Sequence, residues 1–225
     1  MKKYAVIVAG GTGSRMNSNI PKQFLLIKNK PILFYSIDVF LKAYNDLRVI
    51  LVLPEDHVSK GQEAIDAYFD NSRITICNGG KPRFHSVQNV LSLINEERII
   101  FVHDAVRCLL KKDLVERCYI QAKKSGSAIP VITSKDSVRL LTSEGHVPLD
   151  RNTVKLVQTP QTFHSKILLT AFKIGYKDKY TDEATVVEAF GIKVNLIEGE
   201  ENNIKITLPG DMFIAEQIIR GTSSI

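Results

Sequence analysis

The sequence predicts an α/β fold in which helices cover both faces of a mostly parallel β-sheet. Short runs of aliphatic and β-branched residues alternate with segments of helical period, which is typical of strand–helix–strand units. The glycine-rich and polar motifs follow the strands, at the edge where open parallel sheets bind their ligands. The expected strands are residues 4–9, 49–53, 74–77, 99–103, 128–132 and 193–197.

Three segments between these strands carry apolar residues at helical spacing. A chain of 225 residues is long enough for one well-buried α/β domain and short for two, so we expect a single domain over residues 1–225. The three apolar helix faces are Leu33, Ile37, Phe40 and Tyr44, then Val87, Val90, Leu91 and Ile94, then Leu114, Val115, Cys118 and Ala122.

One stretch, residues 133–157, interrupts this alternation because it has no helical period. Residues 137–141 and 147–149 flank a turn at 143–146, and this pattern predicts a β-hairpin that is too polar to be a core element. An exposed hairpin that keeps apolar residues usually needs a partner surface. We therefore expect a protruding arm, which packs either on a second subunit or back on its own domain.

The first strand leads directly into a glycine-rich loop, Gly10-Gly-Thr-Gly-Ser-Arg-Met16, and Pro21-Lys-Gln-Phe24 follows shortly after. Glycines let backbone N–H groups turn toward a phosphate, and fixed positive charge nearby stabilises it. The loop provides the amides, and Arg15 and Lys22 provide the charge, so the segment predicts a triphosphate site. The expected nucleotide contacts in it are Gly10, Gly11, Thr12 and Gly13.

Two better-known glycine motifs do not fit this loop. The dinucleotide fingerprint requires a third glycine where Met16 stands, and the P-loop requires Gly-Lys-Ser/Thr where Ser14-Arg15-Met16 stands. The remaining alternative is a plain glycine turn between a strand and a helix, which the basic residues at this spacing disfavour.

The composition is that of an ordinary globular protein, with 44% apolar and 24% charged residues. The formal net charge of +6 is compatible with nucleic acid, an anionic membrane or an anionic substrate. Because the lysines and arginines are scattered among acidic residues, we expect a polyanionic small substrate and no nucleic acid or membrane partner. No apolar run approaches the roughly 20 residues that span a bilayer, and no signal-peptide pattern is present, so we expect a cytoplasmic location.

Cysteine and histidine spacing gives no support to a disulfide, a structural zinc site or a Cys–His or Ser–His catalytic site. The three cysteines include no C-x-x-C, and the five histidines lack ligand spacing. Of the histidines, His103 alone lies inside a motif.

Further motifs follow the glycine loop in a fixed order: Gly79-Gly80 with Arg83 and Ser86, Val102-His-Asp-Ala-Val-Arg107, Asp150-Arg151, Gln158-Thr-Pro-Gln-Thr-Phe163, Thr181-Asp-Glu-Ala184 and Asn203-Ile-Lys-Ile-Thr207. In this order they resemble the IspD family of cytidylyltransferases. The resemblance implies a Rossmann-like fold of the nucleotide-diphospho-sugar transferase type, CTP and a polyol phosphate as substrates, and Mg²⁺ as the divalent metal.

The resemblance assigns the nucleotide side of the site to Gly79, Gly80, Arg83 and Ser86, which would read the cytosine, and to Asp104 and Ala105. Asp104 ends a buried strand, where an unpaired carboxylate is costly, so it needs a partner. Magnesium, the ribose and the hydroxyls of the acceptor are the alternatives. Lys81 stands where the family often has an acidic residue, and it is left out of the expected site.

The resemblance also implies that cations carry the catalysis, because an anionic acceptor must approach a triphosphate. The expected catalytic residues are Arg15, Lys22, Arg151 and Lys205, and the expected acceptor contacts are Arg107, Ser137, Arg151, Thr159, Thr181 and Lys205. Two alternatives are purely structural. Arg107 would form an ion pair with Asp104 that shapes the loop, and Asp182 and Glu183 would cap a helix that begins near Thr181.

In this family the hairpin arm clasps a second subunit, so the resemblance implies a homodimer in which Arg151 and Ser137 reach the neighbour's site. The expected reaction joins CMP to 2-C-methyl-D-erythritol 4-phosphate, in non-mevalonate isoprenoid synthesis. Two alternatives remain at the level of sequence: a ribitol 5-phosphate cytidylyltransferase with nearly the same motifs, and a non-catalytic module that binds nucleotide.

Overall fold

The computed structural model describes residues 1–11, 16, 20–94 and 96–221. Its strands are β1 (Lys3–Val8), β2 (Leu26–Ile27), β3 (Lys30–Pro31), β4 (Leu47–Leu53), β5 (Ile74–Asn78), β6 (Ile99–Asp104), β7 (Ser127–Thr133), β8 (Val138–Thr142), β9 (Gly145–Leu149), β10 (Lys155–Val157), β11 (Gln161–His164) and β12 (Leu196–Glu198). Its α-helices are α1 (Ile32–Ala43), α2 (Val58–Tyr68), α3 (Arg83–Leu91), α4 (Lys112–Ser125), α5 (Ser165–Ala171), α6 (Glu183–Ala189) and α7 (Pro209–Gly221).

The central sheet has the strand order β10-β7-β11-β6-β1-β4-β5, with β12 also paired to β7. Parallel pairing joins β1 to β4 and β6, β4 to β5, and β7 to β12. Antiparallel pairing joins β11 to β6 and β7, and β10 to β7. The predicted α/β fold with a mostly parallel sheet is therefore confirmed.

Helices cover both faces of this sheet, because successive residues of a strand point to opposite sides. In β1, Ala5 and Ile7 pack in one core cluster with residues of α1, α2 and α4, whereas Val6 packs in a second cluster with residues of α3, α5 and α6. All three side chains are fully buried. A third, smaller cluster joins α7 to the segments around Val106 and Ile206.

The six predicted strands correspond to β1, β4, β5, β6, β7 and β12, although the last prediction is wrong at its start. Residues 193–195 are not in a strand, and β12 comprises Leu196–Glu198. Strand β11, which comprises four residues inside a largely polar motif, was not predicted from the sequence. Strand β11 is buried between β6 and β7, so its place in the sheet comes from long-range pairing rather than from local pattern.

The hairpin is present as β8 and β9, but it is shorter than the segment 133–157 that the sequence predicts for the arm. Thr133 belongs to β7, and β10 at residues 155–157 pairs with β7 in the central sheet. The hairpin itself, formed by β8 and β9, is largely exposed. Its large apolar side chains in contact with solvent are Leu140, Leu141, Val147 and Leu149.

The parallel strands end at one edge of the sheet, and backbone hydrogen bonds continue just beyond their ends. The amide of Ala9 donates to Val52 O at 2.9 Å, that of Gly79 to Leu53 O at 2.7 Å, and that of Ala105 to Val8 O at 3.1 Å. The loops after β1, β5 and β6 are therefore held side by side. Among the helices in the described part of the chain, none has the length and apolarity that a membrane span requires.

Candidate active site

A cavity of about 340 Å³ opens at this edge of the sheet, between the loops that follow β1, β5 and β6. Four basic residues and one carboxylate are among its described lining residues. The lining consists of Val8, Ala9, Gly10, Gly11, Lys22, Gln23, Gly80, Lys81, Pro82, Arg83, Ser86, Asp104, Val106 and Lys205. The positive excess suits a polyanionic ligand.

The first wall of the cavity comes from the segment after β1. Gln23 is buried, and its Nε2 donates to Ala9 O at 2.8 Å, which ties the short 3₁₀ helix Lys22–Phe24 to the end of β1. Lys22 Nζ donates to Ile206 O at 3.3 Å. Gly10 and Gly11, two of the expected nucleotide contacts, line the cavity, whereas Thr12, Gly13 and Arg15 lie outside the described residues.

The second wall is a tight turn between β5 and α3. Ser86 Oγ donates to Gly80 O at 2.9 Å and accepts the Gly80 amide at 3.1 Å. A Cβ on Gly80 would lie 2.7 Å from the Cβ of His85, which is closer than real side chains approach. Gly80 and Ser86 line the cavity, and Gly79 stands behind them with its amide bonded to Leu53 O.

Asp104, the last residue of β6, is the anionic centre of the cavity. Its Oδ1 lies 3.2 Å from Nη2 of Arg83, and its Oδ2 lies 2.9 Å from Nζ of Lys205 and 3.8 Å from Nε of Arg107. Burial alone would raise the pKa of Asp104, but the attraction of Arg83, Lys205 and Arg107 outweighs burial and holds the pKa well below its ordinary value. The carboxylate is therefore ionised at neutral pH.

Arg83, the first residue of α3, links Asp104 to a second carboxylate. Its Nη1 donates to Oε1 of Glu183. Burial works against the charged guanidinium, but Glu183 and Asp104 together raise the pKa of Arg83 above its ordinary value. The capping role expected for Asp182 and Glu183 belongs to Asp182 alone, and Glu183 contacts Arg83 instead.

Asp182 begins α6 through a capping box, in which its side chain accepts the Thr185 amide at 2.9 Å. Gln161 of β11 fixes the same turn from the other side. Its Nε2 donates to Asp182 Oδ2 and its Oε1 accepts the Ala184 amide, both at 2.8 Å. The helix predicted to begin near Thr181 is confirmed, and Asp182 is its cap.

Behind Asp104 lies a buried hydrogen-bond chain that contains Thr159. The Thr159 hydroxyl accepts the Asp104 amide at 3.1 Å and donates to Nδ1 of His103 at 3.0 Å, while His103 Nε2 donates to Arg107 O at 3.3 Å. Burial lowers the pKa of His103 to about 3, so the ring is neutral. Thr159, expected to bind the acceptor, is buried and does not line the cavity.

Arg107 is also outside the cavity lining. Its Nη1 donates to Asn203 O at 2.7 Å and its Nη2 to Val157 O at 3.4 Å, and only 9% of the residue is exposed. Asn203 in turn donates from Nδ2 to Thr159 O at 2.8 Å. Arg107 thus joins the loop after β6 to two distant segments, which favours the structural alternative over contact with the acceptor.

The remaining predicted residues do not meet at the cavity within one chain. Ala105 is fully buried. Ser137 and Arg151 are exposed at the base of the hairpin, and Arg151 Nη1 donates to Lys135 O at 3.0 Å. Thr181 is exposed on the far side of Arg83, where both line a small crevice.

Lys81 was left out of the expected site, but it belongs to the lining of the cavity. The side chain lines the cavity and the residue is exposed. Its place in the turn that carries Gly80 and Arg83 brings it there whatever its charge. The signal that could have indicated Lys81 is its position in the chain, between Gly80 and Arg83.

Few of the described cavity residues could hold a divalent metal. No cluster of three or more His, Cys, Asp or Glu side chains suitable for a metal occurs among the described residues. A magnesium ion that is held mainly by phosphate oxygens needs only one or two carboxylates. Asp104 provides one in the cavity, so the residues fit a phosphate-bound metal and not an all-protein metal site.

Comparison with known proteins identifies the family of this chain. The family model described as 2-C-methyl-D-erythritol 4-phosphate cytidylyltransferase matches residues 4–221. The chain belongs to this family. A relative with that name from Phocaeicola vulgatus is 41% identical over 219 residues, which are 97% of this chain and 100% of the relative.

One solved structure supports the same family, and a second supports the fold. The structure of Francisella tularensis 2-C-methyl-D-erythritol 4-phosphate cytidylyltransferase (IspD) is 31% identical, with a TM-score of 0.79, over 96% of this chain and 99% of that chain. A 4-diphosphocytidyl-2C-methyl-D-erythritol synthase from Anaerococcus prevotii has a TM-score of 0.83 at 24% identity, over 97% of this chain and 98% of that chain. The second likeness supports the fold alone.

Proposed function

We propose that this protein transfers the cytidylyl group of CTP to 2-C-methyl-D-erythritol 4-phosphate, releasing pyrophosphate, as a step of non-mevalonate isoprenoid synthesis. The observation that carries the proposal is the cationic cavity around Asp104, at the strand edge of a chain that belongs to this cytidylyltransferase family. An oxygen of the acceptor phosphate attacks the α-phosphorus of CTP. The bond from that phosphorus to the oxygen bridging the α- and β-phosphates breaks, and its electron pair leaves with pyrophosphate.

The main obstacle to this reaction is charge repulsion between the acceptor phosphate and the triphosphate. Lys22 and Lys205 both line the cavity, although they lie near opposite ends of the sequence. Lys22 Nζ donates at 3.3 Å to the carbonyl of Ile206, the residue that follows Lys205. We assign both ammonium groups to the phosphates, where they offset the charge that develops on the α-phosphorus. Arg15 precedes Lys22 in the same motif and is proposed to act with it.

Asp104 is proposed to be the single protein ligand of a divalent metal, Mg²⁺, that is otherwise held by the triphosphate. When bound, the metal supplies further neutralisation of the phosphates. The protein's part is to keep Asp104 ionised and in place. Its neighbouring cations favour the ionised carboxylate, and the Thr159 hydroxyl accepts the backbone amide of Asp104.

The turn that contains Gly80 and Ser86 is proposed to bind the cytosine. Gly80 has no side chain, so the flat base can approach the backbone closely. The Ser86 hydroxyl is already bonded to both backbone polar groups of Gly80, so its first role is to hold this turn.

We further propose a homodimer in which the hairpin arm packs on the partner. The arm exposes large apolar side chains that a monomer would leave in water, Leu141 being 80% exposed. Arg151 follows the hairpin and lies outside the cavity of its own chain. Delivery of Arg151 to the partner's acceptor phosphate accounts for both observations, since a guanidinium fork suits a terminal phosphate.

The test is magnesium-dependent release of pyrophosphate from CTP, with 2-C-methyl-D-erythritol 4-phosphate and ribitol 5-phosphate as parallel acceptors. We expect a strong preference for the first acceptor. A preference for ribitol 5-phosphate would refute the assigned substrate but keep the reaction class. Folded protein that binds CTP and releases no pyrophosphate with either acceptor would refute the proposed activity.

A further inference from the structure

Glu183 is a buried carboxylate that lies outside the cavity lining and contacts a residue that lines it, Arg83. We propose that Glu183 is a positioning residue, which holds the Arg83 guanidinium against one oxygen of Asp104 and so fixes the CTP side of the cavity. The inference rests on the proposed function, because it takes Arg83 and Asp104 to serve the nucleotide.

The guanidinium of Arg83 contacts two carboxylates, those of Glu183 and Asp104. Nη1 of Arg83 donates to Glu183 Oε1, and Nη2 donates to Asp104 Oδ1 at 3.2 Å. An arginine beside a single carboxylate commonly takes both of its oxygens in a bidentate pair. Glu183 holds one end of the Arg83 fork, so Asp104 keeps Oδ2 for Lys205, whose Nζ lies 2.9 Å away.

Stability alone does not explain a carboxylate at this place. Glu183 is 2% exposed, and none of the described residues provides a hydrogen-bond partner for its Oε2. Burial raises the pKa of Glu183, against the opposing attraction of Arg83. Replacing a buried ion pair by apolar residues is often neutral or stabilising, so the orientation of Arg83 is the better reason for keeping Glu183.

The surroundings of Glu183 give it the rigidity that positioning requires. It is the first residue of α6, directly after the capping box of Asp182, and Gln161 bonds the residues on either side of it. On the side of Arg83, Phe84 stacks on Phe172 with ring centroids 4.7 Å apart. Both rings line the same small crevice as Arg83 and Glu183, and apolar surroundings strengthen an ionic attraction.

The first experiment compares Glu183→Gln with Glu188→Gln, which makes the same change at an exposed place on the same helix. We expect Glu183→Gln to raise KM for CTP about tenfold, and to leave KM for the acceptor within about twofold, because the affected groups serve the nucleotide. Glu188→Gln should match the wild type. A merely structural role would lower kcat through loss of folded enzyme and leave both KM values unchanged.

A second set of variants tests whether Glu183 acts through Arg83. In an Arg83→Gln background, Glu183→Gln should change KM for CTP by less than about twofold, since the group to be positioned is gone. Glu183→Asp keeps the charge at a shorter reach, and its KM for CTP should lie between those of wild type and Glu183→Gln. If Glu183→Gln does not fold, Glu183→Asp provides the comparison, and an unchanged KM for CTP in it overturns the inference.

Equilibrium binding of CTP without acceptor separates this inference from the proposed function. Wild-type protein that binds CTP and does not turn over refutes the function, and the dissociation constants for CTP then decide the role of Glu183. The inference is overturned by a Glu183→Gln protein with wild-type affinity for CTP, or by an effect that persists in full in the Arg83→Gln background.

Discussion

The ammonium of Lys205 lies 2.9 Å from Oδ2 of Asp104, and this ion pair joins the end of strand β6 to the segment that precedes helix α7. Asp104 also meets Arg83 and Arg107, so three cations from three parts of the chain converge on one carboxylate. Lys205 is the most exposed of the three, with 46% of its side chain accessible. Lys205 is therefore the cation that can turn from Asp104 to an incoming phosphate with the smallest free-energy cost.

Asp104→Asn should be both less stable and nearly inactive. The change leaves Arg83 and Arg107 without their shared counter-charge in a buried setting, which should lower the free energy of unfolding by about 2–4 kcal/mol at pH 7. Turnover should fall about 10²-fold or more, because the proposed metal ligand is lost. Urea unfolding and pyrophosphate release measure the two effects. An active Asp104→Asn enzyme would contradict the proposed role.

The stability effect of Asp104→Asn should depend on pH in a defined direction. The folded-state pKa of Asp104 lies below its unfolded-state value of about 4, so its stabilisation is fully present above that pH and is lost as pH falls through the folded-state pKa. The difference in unfolding free energy between wild type and Asp104→Asn should thus be constant from pH 7 to pH 5 and shrink below about pH 4. A difference that already shrinks between pH 7 and pH 5 would contradict this prediction.

His103 should stay neutral through the range in which histidines usually titrate. Its folded-state pKa is about 3 and its unfolded-state pKa is about 6.5, so below about pH 6.5 the unfolded chain binds a proton that the folded protein does not. This linkage should lower stability by up to about 1.4 kcal/mol per pH unit as pH falls from about 6 toward 3. NMR of the ring protons should show His103 unshifted from pH 8 to pH 5, and a protonation shift within that range would contradict this prediction.

Gly80→Ala should damage the site, whereas Gly175→Ala should not. A Cβ on Gly80 would lie 2.7 Å from His85 Cβ, so the turn must shift, while a Cβ on Gly175 would have no heavy atom within 4 Å among the described residues. We expect Gly80→Ala to lose about 1–3 kcal/mol of stability and to raise KM for CTP. Thermal unfolding and steady-state kinetics test both variants. Equal behaviour of the two variants would contradict the requirement for glycine in this turn.

Lys22→Ala should lower turnover by about 10²–10³-fold, the scale seen when one preorganised electrostatic donor is removed from an active site. Lys22 is held at the cavity by its contact with the Ile206 carbonyl, so its loss should affect phosphate chemistry more than folding. Single-turnover kinetics at saturating CTP measure the effect. Lys179→Ala, at an exposed lysine outside the cavity lining, is the matched control.

Subunit mixing tests whether Arg151 acts in the partner's site. Lys22→Ala and Arg151→Ala should each be nearly inactive alone. If Arg151 serves the other subunit, a heterodimer of the two variants contains one intact site, and a random mixture should recover about a quarter of wild-type activity. If Arg151 serves its own subunit, or the protein is a monomer, the mixture should recover none. Sedimentation analysis gives the oligomeric state of each sample.

The sequence by itself determined the alternation of strands and helices, the edge of the sheet that carries the site, and the family. These features are local: hydrophobic period sets each element, and glycine or a charged residue follows directly after its strand. Gly10, Gly80 and Asp104 could be assigned to one site because parallel strands bring their carboxyl ends together. The hairpin β8–β9 was predicted for the same reason, since its pairing is between neighbours in sequence.

Only the tertiary structure decided which polar groups face the cavity and which make hydrogen bonds or ion pairs within the protein that support its walls. Strand β11 pairs with strands distant in sequence, and that pairing places Gln161 beside Asp182 and turns Glu183 toward Arg83. The contacts of Arg107 and Thr159 depend on segments far along the chain, so their burial has no local signal. Side-chain direction in a packed loop depends on long-range contacts, and a sequence pattern carries periodicity but not those contacts.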